Sequence, residues 1–150
     1  MTGVKTYDPN NVQLILGGVG ISGYADGTFI NLTYDEDLYN KTVGADGEVS
    51  RSKTTNRSAT LTITLKQTSS SNDALSALYQ LDESEDGGVV PMMIKEIGTG
   101  TTLVFTQAAW VQKLPDLNFS KDIEDRQWTI ATSQLESYIG GNLLSGSGGE

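Results

Sequence analysis

The sequence predicts a mainly β domain, a sandwich or barrel with one flanking α-helix, and three observations carry that expectation. Between Ser58 and Leu81 the spacing of apolar residues changes from strict alternation to a helical repeat. Alternating segments recur on both sides of this stretch. Glycine-containing turns punctuate them. In residues 59–67, Leu61, Ile63 and Leu65 alternate with Thr60, Thr62 and Thr64, so a strand here has one hydrocarbon face and one face of small hydroxyls. Residues 68–71 break the pattern. From Asn72 the positions Ala74, Leu75, Leu78 and Leu81 return at helical spacing, with Asp73 in the first turn, where the helix dipole favours an anion. The acidic run Asp82, Glu83, Glu85 and Asp86, followed by Gly87 and Gly88, closes the helix.

Taken in order, residues 1–11 read as a flexible arm that turns into the first strand near Pro9. Val12, Leu14 and Leu16 alternate, and Gly17-Gly18 ends that strand in a turn. Residues 18–23 spell G-x-G-x-x-G, but a dinucleotide-binding loop must lead straight into a helix, and this one runs through Asp26-Gly27 into β-type sequence. A glycine-rich hairpin connection is the better reading. From Phe29, Ile30, Leu32 and Tyr34 alternate with Asn31, Thr33, Asp35 and Asp37, a polar face that would continue the threonine face if the two strands pair. Residues 40–57 form a long connection with a disproportionate share of the basic residues: Lys41, Arg51, Lys53 and Arg57, beside Val43, Asp46 and Glu48. It is either an exposed hairpin tip or a contact surface for an acidic partner.

After the helix, residues 89–97 read as a strand in which Pro91 marks an edge or an irregular start. Residues 101–113 form a long strand, with Leu103, Phe105, Ala109 and Val111 on one side and Val104 and Trp110 on the other. Residues 116–125 read as a polar connection. Residues 126–133 are a last strand, with Trp128 and Ile130 inward and Gln127, Thr129 and Ala131 outward. Tyr138-Ile139 ends the ordered domain of residues 12–139, and residues 140–150 have the composition of a flexible tail.

At 150 residues the chain is the size of one domain, able to bury roughly two thirds of its unfolded surface. It contains neither Cys nor His. Thiol nucleophiles, disulfides, imidazole bases and the usual zinc sets are thereby excluded, which leaves carboxylates, Lys, Tyr and hydroxyls for any chemistry. None of the acidic clusters has the calcium-loop pattern, and no nucleophile elbow or P-loop occurs. No catalytic residue, metal site or cofactor is expected. A net charge of -9 argues against gripping nucleic acid through its phosphates. The N-terminal residues lack an apolar signal core and no run is long enough for a membrane span, so a soluble cytoplasmic product without membrane contact is expected.

Several stretches together resemble the small tail tube proteins of contractile-tailed bacteriophages: Tyr7-Asp8-Pro9, Leu16-Gly17-Gly18, residues 21–29, residues 41–51 around Gly44-Ala45-Asp46-Gly47, the strand-to-helix passage of residues 65–81, and Trp128-Thr129-Ile130. The likeness spans nearly the whole chain apart from residues 140–150, and extends more distantly to the haemolysin-coregulated tube proteins of type VI secretion. The resemblance implies a β-sandwich or barrel with a flanking helix, assembled as six-fold rings that stack into a hollow tube of the virion tail, built in the host cytoplasm. The implied partners are further copies of the chain, the tail sheath protein, and the tape-measure protein and DNA transiently in the lumen. On that reading Asn31, Thr33, Asp35, Thr60, Thr62, Thr64, Gln127 and Thr129 face the lumen, with Leu32, Leu61, Ile63, Leu65 and Trp128 in the core. Residues 40–57 reach the next ring, and Asp82, Glu83, Glu85 and Asp86 are one possible acidic partner for them. The alternatives are a monomeric β-sandwich that binds or adheres through its long loop, a type VI-like tube protein, and a carboxylate-dependent hydrolase.

Overall fold

Among the described residues, eight strands form one antiparallel sheet around a single core, which one helix covers. The computed structural model describes residues 4–98 and 100–141. A short 3-10 turn, Pro9–Asn11, capped by the Asp8 side chain, leads into β1 (Val12–Leu16), which turns at Gly17-Gly18 into β2 (Val19–Gly20). Both glycines have positive φ, which a tight hairpin with the strands' own twist requires. There follow β3 (Ile30–Tyr34), β4 (Tyr39–Val43), β5 (Val49–Lys53), β6 (Ala59–Lys66), α1 (Ser71–Glu85), β7 (Val90–Glu96), β8 (Leu103–Lys113), β9 (Asp125–Thr132) and β10 (Leu135–Tyr138). The sheet order is β2-β1-β7-β8-β9-β6-β3, with β10 beside β8, while β4 and β5 form a separate two-stranded hairpin.

β6 shows the expected alternation without a break. Leu61, Ile63 and Leu65 are fully buried, and Thr60, Thr62 and Thr64 lie half-buried on the other face. Burying each of those side chains contributes roughly 1.5–3 kcal/mol, enough to set the register of the neighbouring strands. Trp128 and Ile130 of β9 and Leu14, Leu16, Met92 and Val104 of the far side of the sheet complete the core, with Leu32 half-buried at its margin.

The helix begins at Ser71 and is tied to the sheet by Asn72. That amide donates to the carbonyls of Lys66 and Ser69, and its oxygen accepts from the Trp128 indole N–H at 2.9 Å. Ser71 Oγ accepts from the Ser22 N–H, and Leu75 fills the core. At the other end Asp86 takes the left-handed conformation and stops the helix, whose last turn contains no base. Asp82, Glu83 and Glu85 thus stand at the negative end of the helix dipole, where they oppose it.

The structure corrects two expectations, decides a third between its alternatives and adds a strand. In β8 the predicted pairing of Leu103 and Phe105 with Ala109 and Val111 fails, because Val104, Thr106 and Ala109 are the buried residues. Met92 pairs with Thr106 whereas Val90 pairs with Ala109, so β8 holds one extra residue there and a bulge reverses its facing. Pro91 therefore marks an irregular start and no edge, since β7 lies between β1 and β8. The strand of residues 135–138, absent from the sequence reading, carries on beside β8 in the register that β9 sets. Finally, the connection of residues 116–125, read as polar, exposes Leu117, Phe119 and Ile123, with Leu114 exposed just before it. The tail of residues 140–150 lies outside the described residues except for Gly140 and Gly141.

Truncating Leu65 to Ala is expected to cost about 2–5 kcal/mol in urea unfolding, while Thr62→Ala should stay within about 0.5 kcal/mol, because only the first opens a cavity in the core. Tyr24 offers a second test. Its hydroxyl is buried without a hydrogen-bond partner, and burial pushes the phenol from 10.0 up to about 12. A raised folded value means that the associated stability is intact below pH 10 and is lost as the pH rises towards 12. Tyr24→Phe should therefore be neutral or slightly stabilising at pH 7 and should lose less stability than the parent chain between pH 10 and 12 in denaturant titrations.

Candidate functional site

The register of β3, β6 and β9 sets the predicted polar residues side by side in transverse rows. Asn31, Thr62 and Thr129 form one row, and Thr33, Thr60 and Ala131 the next. Thr64 stands opposite Gln127 further along. Strands about 4.8 Å apart make these rows a continuous surface. Asn31, Thr33, Asp35 and Gln127 are exposed, and Thr60, Thr62, Thr64 and Thr129 are half-buried on the side away from the core.

The face organises its own polar groups. The Asp35 carboxylate accepts from Ser58 Oγ at 2.6 Å and from Thr60 Oγ1 at 3.2 Å, and the Asn31 amide donates to Thr33 Oγ1 at 3.3 Å. Asp35 is thereby held where β3 ends. None of these eight residues carries a positive charge, and together they present hydroxyls, amides and one carboxylate.

The bulge in β8 adds residues that sequence alternation missed. Trp110 pairs with Ala131 and extends the Thr33–Thr60 row, and Lys113 pairs with Thr129 and ends the Asn31–Thr62 row. Lys66 and Asp125 face each other beyond Thr64 and Gln127. The hydroxyl field is therefore bordered by Trp110, Lys113, Lys66 and Asp125. Only a shift in parity inside residues 101–113 could have revealed the first two, and no residue type announces it.

The long connection is an ordered hairpin in which every strand residue is exposed. Cross-strand pairing puts Tyr39, Lys53, Lys41, Arg51, Val43 and Val49 on one face and Asn40, Ser52, Thr42 and Ser50 on the other. The Arg51 guanidinium lies 4.1 Å from the centre of the Tyr39 ring. Asp46 sits in the turn and accepts from the Glu48 N–H, while Gly47 supplies the positive φ. Arg57, grouped with these bases in the sequence reading, stands apart: its guanidinium donates to the carbonyls of Thr54 and Asn56.

In the acidic group, Asp82 accepts from the Gly88 N–H at 3.3 Å and Glu83 accepts from the Tyr79 hydroxyl. That bond, with the carboxylate's charge, raises the pKa of Tyr79. Glu85 and Asp86 are exposed.

The antiparallel sheet with one helix is a fold also found in solved proteins of contractile assemblies. The fold is similar to the anti-feeding prophage tube-terminating cap, with a TM-score of 0.63 at 12% identity over 93% of this chain and 95% of that one. It is similar to the sheath/tube terminator of the PVC extracellular contractile injection system, with a TM-score of 0.62 at 13% identity over 89% of this chain and 97% of that one. The PVC sheath-tube complex contains another such chain, with a TM-score of 0.58 at 13% identity over 89% of this chain and 92% of that one.

Residues 5–140 match the model of the bacteriophage PhiTE tail tube protein family, and the chain belongs to that family. It is also 31% identical over 146 residues to structural protein ORF10 of Pseudomonas phage KPP10, covering 92% of this chain and 84% of that protein. The family is one of phage tail tube proteins and the relative is a phage structural protein, so the chain is a structural protein and not an enzyme.

Proposed function

We propose that the chain is the subunit of a contractile-tail tube, assembled as six-fold rings that stack into a hollow conduit with the face of β3, β6 and β9 lining the lumen. The observation that carries this reading is the chemistry of that face: three adjacent strands present hydroxyls, amides and Asp35 on one side and hydrocarbon on the other. A conduit must pass a polyanion without holding it. Carboxylates repel phosphates, and hydroxyls served by water and by one another offer no counter-charge, so binding through counterion release is confined to Lys113 and Lys66 at the border, where Asp125 stands opposite Lys66.

On the same reading the hairpin of residues 39–53 reaches the next ring. An isolated two-stranded hairpin is marginal in water, and its Tyr39-Val43-Val49 face gains stability when a neighbour covers it. Lys41, Arg51 and Lys53 on that face suit an acidic neighbour, for which the end of α1 at Asp82, Glu83, Glu85 and Asp86 qualifies, because a base there also offsets the opposed helix dipole. The tail sheath lies outside, as the sheath-tube naming of the similar solved complex suggests, and tape-measure protein and DNA occupy the lumen in turn. Assembly takes place in the host cytoplasm.

The double variant Thr62→Lys, Thr64→Lys should form tubes of normal appearance by negative-stain microscopy and slow DNA release from reconstituted particles. Ejection kinetics unchanged from the parent would remove the face from the lumen. Replacing residues 43–49 by Asn-Gly, which leaves Thr42 opposite Ser50, should give a folded subunit by circular dichroism that no longer polymerises. Normal tubes from this variant would show that the hairpin is dispensable.

A further inference from the structure

We infer that the extended segment of residues 114–119 in one subunit docks on the open edge of β10 in a second copy of the chain, so that the two form a head-to-tail contact. The inference rests on the tube reading and names surfaces that carry its stacking.

Two features of one chain are left largely exposed and fit each other. The first is the connection after β8. Among the described residues, the backbone groups of residues 116–119 hydrogen-bond to nothing within the chain. Its side chains alternate like those of a strand. Asp116 and Asn118 turn to a polar recess shared with Gln127 and Thr129, whereas Leu117, which borders a second recess with Arg126 and Trp128, is 64% exposed and Phe119, whose ring has the Arg126 guanidinium 5.3 Å from its centre, is 73% exposed. An extended segment with free backbone and apolar residues at alternate positions is the form in which a peptide adds to a sheet edge.

The second feature is β10. It pairs only with β8, and on its outer side the Leu135 N–H donates to the Arg57 carbonyl, beyond which no strand lies. Against this edge runs a groove of about 500 Å³ in which Leu38, Leu135 and Ile139 are the apolar walls and Tyr34, its hydroxyl hydrogen-bonded to Ser137 Oγ at 2.5 Å, and Arg57 are among the polar ones. Leu38 and Ile139 are exposed. Leu117 and Phe119 supply the apolar matter that such a groove accepts. The net charges are opposite as well: Lys113 and Lys121 against Asp116 leave the stretch with one positive charge, and Glu36 and Asp37 against Arg57 leave the groove with one negative charge.

Position decides that the occupant is a second copy. β10 lies beside Leu103–Thr106, and the free segment leaves the opposite end of the same strand after Lys113. The seven strand residues 107–113 separate the two by roughly 23 Å, and the segment stays at that end on its way to β9, so it does not fill the groove of its own chain. A contact between unlike surfaces at opposite ends repeats from copy to copy, which is how an open-ended stack is built. The groove shares Leu38 and Arg57 with the base of the hairpin, so both docking elements belong to the same end of the subunit.

The absence of native cysteine gives a clean test in the full-length protein. Chains with Phe119→Cys are mixed with chains carrying Ile139→Cys, polymerised, and treated with a short thiol-to-thiol crosslinker. Mixed pairs are expected on a denaturing gel, and the double variant Phe119→Cys, Ile139→Cys should give a ladder of higher oligomers. In parallel, Leu117→Asp with Phe119→Asp should keep the parent's circular dichroism and urea midpoint but lose long tubes by sedimentation. Tubes that form without mixed crosslinks, and that survive the Asp substitutions, would overturn this contact while leaving the tube reading intact. A parent chain that forms no tubes at all at high concentration would overturn both.

Discussion

Everything in this fold depends on β6 being held between β3 and β9 in one register. Its two faces differ completely in chemistry, with Leu61, Ile63 and Leu65 against Thr60, Thr62 and Thr64. A slip by one residue would bring three threonines into the core and expose three aliphatic side chains, so the alternative pairings are costly. The same register assembles the rows from Asn31 to Thr129. Stability and the character of the outer face are consequently one constraint.

The helix reinforces that register at its far end. Asn72 joins the Trp128 indole of β9 to the turn after β6, so the junction between strand and helix is fastened to the neighbouring strand. Ser69 closes the same corner. A methyl at Gly23 would meet its side chain at 2.4 Å, which fits the bond from Ser69 Oγ to the Ser22 carbonyl. From there the helix is buried only at Ser71 and Leu75, and its acidic end stays at the surface. What is firmly packed and what is left available are separated along one helix of 15 residues.

The bulge in β8 has the opposite effect from the regularity of β6. It lets one strand turn Val104 and Thr106 inward and then Ala109, and it moves Trp110 onto the outer face beside Ala131. Thr106 is buried at this point, with its hydroxyl within reach of Ser133 Oγ and the Ala108 carbonyl, so the irregular backbone is served by a side chain. The segment that follows β8 carries its apolar residues outward, and the hairpin of residues 39–53 is also left uncovered. A subunit with this much exposed apolar and unpaired structure is built for contacts beyond itself.

Alternation, the change of period and the turn glycines were enough to place β1, β3, β6, α1 and β9, the two faces of the central strands, and the likeness to tail tube proteins. Each of these is a local pattern, because strand and helix periods are written in neighbouring residues. The facing of β8 after its bulge, the interior position of β7 despite Pro91, the existence of β10 and the exposure of Leu117 and Phe119 were decided only in the tertiary structure. A bulge carries no residue signature, and exposure depends on which distant strand stands alongside; both are settled by pairing between segments far apart in the chain.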